Sequence, residues 1–124
     1  MGASQRNKGA NGERELAKLL YDRLGIELKR NLEQSRNGGY DLVGLPFAIE
    51  VKRHEELRIN EWWEQAVRQT EGLLKAPVLA WRQSRKPWTF RAELRFITNE
   101  FGPCRLTVDM DIDTFCYIVR ERWL

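Results

Sequence analysis

The stretch that most limits how this chain can fold is Gly38–Arg53, GGYDLVGLPFAIEVKR. Two β-like runs, YDLVGL and FAIEVKR, flank Leu45-Pro46, and proline cannot donate to a sheet ladder. The spacing therefore predicts a hairpin that turns at that point. Successive side chains of a strand point to opposite faces. Tyr40, Leu42, Phe47, Ile49 and Val51 fall on one face, while Asp41, Glu50 and Lys52 fall on the other. Pairing about Leu45-Pro46 sets Asp41 opposite Glu50, Leu42 opposite Ile49 and Val43 opposite Ala48, and such partners lie about 5 Å apart at Cβ.

Two opposed carboxylates destabilise a sheet unless something positive lies between them. Mg²⁺ suits such a pair, because it takes oxygen ligands and is commonly held by one or two carboxylates while a substrate phosphate completes its shell. Lys52 is then placed to orient or deprotonate an attacking water, or to hold the scissile phosphate. Taken singly, Asp41 reads as a turn residue, and Glu50 and Lys52 as a solvated strand face. Taken together they read as a metal-dependent phosphodiester-cleaving centre, because both acids sit among apolar residues where an unpaired charge costs several kcal/mol.

The rest of the chain supplies elements around this hairpin. Upstream, NGERELAKLLYDRLG spaces Leu16, Leu19, Leu20 and Leu24 as one face of a helix, with Asn11 as N-cap and Gly25 past its end. Residues 1–8 read as a flexible basic arm ahead of a single domain over residues 9–124. IELKRNL reads as a first strand leading into the loop EQSRNGG. Downstream, NEWWEQAVRQTEGLLK predicts a helix with Asn60 as N-cap, Trp63, Ala66, Val67, Thr70 and Leu74 on one stripe, and an end near Ala76-Pro77. PVLAWRQ and WTFRAELRFI read as strands, and the tail as a strand followed by a helix capped by Asp111 or Asp113. A length of 124 residues suits one modest core. The order α-β-β-β-α-β, with extra C-terminal strands and a helix, implies an α/β fold with a central mixed sheet flanked by helices.

Composition narrows the partners. Twenty-one Lys and Arg against eighteen Asp and Glu give a formal charge of +3, which permits a polyanion without demanding one. Cys104, Cys116 and the single His54 do not make a zinc site or a disulfide framework. No apolar run approaches the ~20 residues of a membrane span and the N-terminal stretch has no hydrophobic signal core. A cytoplasmic protein is expected, bacterial or of a phage in its host. Trp81, Trp88 and Trp123 read as packing residues. Of Trp62 and Trp63, one is expected in the core and the other half-buried or at a dimer interface.

The residues YD followed by IEVK resemble the PD-(D/E)XK nuclease superfamily, in which a hairpin carries Asp and then Glu-x-Lys; here these are Asp41, Glu50, Val51 and Lys52. KGANGERELAKLL is similar to the first helix of archaeal Holliday junction resolvases and related small phage nucleases. Their Lys-Gly-x-x-x-Glu-Arg pattern falls on Lys8, Gly9, Glu13 and Arg14. Glu64-Gln65-Ala66 matches the Glu-Gln-Ala often carried by their second helix. Tyr40 stands where the family pattern has proline, and the segment from Trp88 onward matches no motif.

The resemblance implies a restriction-endonuclease-like core and a Mg²⁺-dependent DNA endonuclease, with Mn²⁺ able to substitute. By it, Asp41, Glu50, the Val51 carbonyl and Glu13 would form the metal site, Lys52 would assist the water, and Gln65 and Ser35 would support the centre. DNA contacts are expected from Arg6, Lys8, Arg14, Arg36, Arg53 and Arg58. A branched substrate such as a four-way junction, and a homodimer to cut its two symmetric strands, follow from the same resemblance. The competing readings are a relative acting on duplex ends or nicks, and a DNA-binding module without catalysis. Against the second, the full set of acids and the lysine is present.

Overall fold

The computed structural model describes residues 2–31, 40–102 and 104–124, with side chains from Gly9 onward. Helix α1 (Gly2–Leu24) is followed by β1 (Lys29–Arg30), β2 (Leu42–Val43) and β3 (Ala48–Arg53). Helix α2 (Ile59–Gln69), β4 (Pro77–Arg82), β5 (Thr89–Glu93), a 3-10 turn (Leu94–Phe96), β6 (Thr107–Met110) and α3 (Ile112–Ile118) complete the order. The strands form one six-stranded sheet in the order β1-β2-β3-β4-β5-β6. Only β3 and β4 run parallel; the other neighbours are antiparallel. That parallel pair requires a crossover, which α2 supplies.

The hairpin has the register its alternation predicts. Leu42 pairs with Ile49, and the Asp41 amide donates to the Ile49 carbonyl at 2.8 Å. Gly44 makes the return feasible. Its φ of +133° is in a region that side chains avoid, and an added Cβ would lie 2.8 Å from Leu28 Cδ2 and 3.0 Å from the Glu27 carbonyl oxygen. The turn is consequently a four-residue connection in which Leu45 and Phe47 are buried and Pro46 is exposed.

Alternation along β3 and β4 divides the core between two faces. On one, Ile49, Val51, Val78 and Ala80 pack with Leu16 and Leu20 of α1 and Phe115 of α3. The Phe90 and Phe115 rings stack there at 4.1 Å between centroids. On the other face, Trp62 and Ala66 of α2 cover Leu79 and Trp81. Trp88 is buried and Trp123 packs against the larger cluster.

Several boundaries differ from those the sequence suggests. α1 takes in the backbone of residues 2–8, set apart by composition as an arm, because no proline interrupts the run and Ala, Gln, Arg and Lys favour helix. Asn11 is therefore interior, and its Oδ1 accepts from Arg14 Nη1 instead of capping. β1 is only two residues long. α2 begins after Arg58, without a side-chain cap, because Asn60 is engaged by Arg91. It ends at Gln69, not near Ala76: Thr70 Oγ1 bonds the Val67 carbonyl, and Gly72 at φ +80° breaks the helix. Leu74 is consequently exposed, and Trp62, rather than Trp63, takes the deeper position. Downstream, Asp111 caps α3, its Oδ1 accepting from the Thr114 amide at 2.7 Å.

Candidate active site

β3 carries Glu50 and Lys52 on the face that α2 covers, and the residue preceding β2 brings Asp41 against them. Glu50 and Asp41 are 4 % and 6 % exposed. The backbone holds Asp41 in place: its amide donates to Ile49, and its carbonyl accepts from the Asn31 amide at 2.8 Å. Asn31 Nδ2 also donates to the Tyr40 carbonyl at 2.9 Å. The Val51 amide donates to Asp41 Oδ2 at 2.6 Å, so one oxygen of that carboxylate is anchored to β3. Glu50 Oε1 accepts from Gln65 Nε2 at 3.3 Å and lies 3.4 Å from Lys52 Nζ. Among the described residues Glu50 Oε2 is buried with no hydrogen-bond partner.

Burial, and then the charge of Glu50, push the Asp41 carboxyl up to about 8. Burial likewise raises Glu50, against the lowering pull of Lys52. The charge of Glu13 acts on both acids in the raising direction. This is the signature of buried like charges in want of a cation. An orphaned carboxylate oxygen beside a second buried carboxylate is a donor set that fits a hard divalent ion such as Mg²⁺.

Glu13 reaches this centre from α1 and is itself buried. Its Oε2 accepts from Arg30 Nε at 2.6 Å, so β1 supplies a counter-ion. Among the described residues no three His, Cys, Asp or Glu side chains form one metal-binding cluster. The unit is the Asp41–Glu50 pair, with Glu13 held beside it by Arg30. The fold thus brings together Glu13, Asp41, Glu50, Lys52, Gln65 and the Val51 backbone.

The other residues singled out by sequence are dispersed. Arg14 is exposed and bonds Asn11. Arg53 is tied to Glu55 and Ser84 and lies 4.0 Å from Glu15 of α1. Arg58 is exposed next to Glu56 and Glu61. His54 is exposed and lies 5.1 Å from the Trp62 ring. Ser35 and Arg36, and the side chains of Arg6 and Lys8, lie outside the described residues.

Two supporting residues carry no sequence signal of their own. Arg30 reads as one more basic residue until β1 is placed against α1. Lys75 follows an apolar stretch, and only the fold brings its Nζ 2.8 Å from the Tyr40 hydroxyl.

A family model described as "Phage putative PDDEXK endonuclease" matches residues 4–101. No curated protein matches the chain. Among solved structures it is similar to that of Archaeoglobus fulgidus Hjc, a Holliday junction resolvase from an archaeal hyperthermophile. The likeness has a TM-score of 0.59 at 22% identity and covers 89% of this chain and 96% of that one. At that identity the likeness is one of fold, here the restriction-endonuclease-like arrangement of a mixed sheet flanked by helices.

Proposed function

The chain belongs to this phage PDDEXK endonuclease family and is a nuclease; from that premise we propose that it is a Mg²⁺-dependent DNA endonuclease that acts on branched DNA. The observation that carries the metal dependence is the buried Asp41–Glu50 pair, with Glu50 Oε2 unpartnered among the described residues and Lys52 3.4 Å from the other oxygen. A bound Mg²⁺ supplies Lewis acidity toward a phosphoryl oxygen and acidifies a bound water. Mn²⁺ substitutes, since it favours the same oxygen donors.

Each protein group has a separate task. The Val51 amide fixes Asp41 Oδ2 and leaves the other oxygen for the cation. Gln65 and Lys52 hold Glu50 Oε1, and Asp41 and Glu50 are the residues that would hold the cation. The Val51 carbonyl and Glu13 are the further oxygen donors that the resemblance assigns, and Arg30 orients Glu13. Lys52, with an ammonium that donates but cannot accept, positions the attacking water or a non-bridging phosphate oxygen. Enclosure among apolar side chains strengthens each of these interactions.

Similarity in fold to a Holliday junction resolvase supports a four-way junction as substrate. A junction has two equivalent strands to cut, so the acting species is a two-fold dimer. The test incubates the protein and Mg²⁺ with a four-way junction, a linear duplex and a single strand. Paired symmetric nicks in the junction alone are expected. No cutting of any DNA with Mg²⁺ or Mn²⁺ would overturn the proposal.

A further inference from the structure

A second candidate nucleic-acid site lies where the connection between α2 and β4 passes the 3-10 turn after β5. Two adjoining cavities of about 520 Å³ and 600 Å³ share Arg95, Asn99 and Arg105 in their walls. Lys75 and Arg122 line the larger and Phe101 the smaller. Four cations thus face two acids. Glu93 is buried behind them, 2.9 Å from Arg95 and 4.0 Å from Arg105, and Glu71 is exposed at the rim. Arg122 is held in position, donating to the Arg95 carbonyl at 3.0 Å and Asn99 Oδ1 at 2.8 Å. The side chains of Arg95 and Arg105 remain 58% and 72% exposed.

Lys75 joins the groove to the hairpin, donating to the hydroxyl of Tyr40 at 2.8 Å and to the Leu45 carbonyl at 3.4 Å. Arg105 and Arg122 lie beyond the residues that the family model matches.

We propose that this groove binds an unpaired DNA strand, an inference that rests on the nuclease reading above. A duplex needs only cations, since its bases are stacked inside. Here an exposed aromatic ring, Phe101, and exposed Leu73 and Leu74 accompany the cations. A charged track for phosphates beside a surface on which bases stack is the arrangement that holds single strands. The separate cavities are also of the size that takes one ligand of nucleotide dimensions.

The test is fluorescence anisotropy in metal-free buffer, with labelled single-stranded and duplex DNA over a series of salt concentrations. Phe101→Ala is expected to weaken single-strand binding about fivefold or more and to leave duplex affinity unchanged. Arg105→Gln, at an exposed position, is expected to lower the salt slope for the single strand by about 0.7. Lys18→Gln, on the exposed side of α1, is expected to change neither. The proposal fails if both groove variants bind the single strand like the wild type, or if they lose single strand and duplex alike. Absence of all DNA binding by the wild type overturns the nuclease reading and the groove together. Normal Mg²⁺-dependent cleavage with unchanged single-strand binding overturns the groove alone.

Discussion

Asp41→Asn should make the metal-free protein more stable at alkaline pH. Asn keeps an oxygen for the Val51 amide that donates to Asp41 Oδ2 and removes one of two buried charges. In the folded chain the Asp41 carboxyl is raised from 3.8 to about 8, by burial and then by the charge of Glu50. A carboxyl raised on folding binds its proton more tightly in the native state. It therefore costs no stability below its unfolded value, and it costs progressively more as the pH rises from about 4 to 8. Each unit is worth about 1.4 kcal/mol, so the ionised group burdens the fold by about 6 kcal/mol at most above pH 8. Solvent relaxation around the pair lowers this, and an advantage of about 2–4 kcal/mol for Asp41→Asn over the wild type is expected at pH 9. Urea unfolding in EDTA at pH 5, 7 and 9 measures it, because titrations away from the Asp41–Glu50 pair are common to both proteins and cancel. The gap should widen with pH. Wild-type stability equal to or above that of Asp41→Asn at pH 9, or a gap that does not change with pH, would refute the reasoning.

Three further outcomes follow from local geometry and from the pair. Gly12→Ala would place a Cβ 2.6 Å from Arg53 Cβ, where neither atom is the free end of a side chain, so α1 must shift from β3 at a cost of about 1–3 kcal/mol; an unchanged thermal midpoint would contradict this. Asp111→Ala removes the cap on the Thr114 amide and should cost about 1 kcal/mol in urea unfolding, an effect that Asp111→Asn should largely avoid. Mg²⁺ should raise the thermal midpoint of the wild type at pH 8, since a ligand bound only by the folded state stabilises it. The same addition should leave Asp41→Asn nearly unmoved; equal rises in both proteins would place the ion elsewhere.

The hairpin register was legible because alternation allows only one pairing that buries Leu42, Ile49 and Val51 together, and a one-residue slip would turn all of them outward. The element order was legible for a similar reason, since apolar periods of two and near four separate strands from helices. Helix ends were not. Asn11 and Asn60 carry the usual capping side chain, but Arg14 and Arg91 occupy those oxygens instead. Gly72 stops α2 well before the apolar pattern runs out. Asp41, Glu50 and Lys52 are near in sequence, so their convergence could be read directly. The ion pair of Glu13 with Arg30, and the meeting of Lys75, Arg95, Arg105 and Arg122, depend on contacts between elements that only the assembled sheet creates. Arg53, next to the centre in sequence, has partners that only the fold reveals: Glu15, Glu55 and Ser84.

The central claim is that Asp41 and Glu50 form the metal-holding pair of a nuclease, and cleavage kinetics test it most directly. Single-turnover cutting of a four-way junction in Mg²⁺ should be compared for wild type, Asp41→Asn and Glu50→Gln, with DNA binding measured in parallel. Loss of cutting by about a hundredfold or more in each variant, with binding retained and with no wild-type cutting in EDTA, is the predicted result. Cutting at the wild-type rate by either variant, or by the wild type in EDTA, would contradict it.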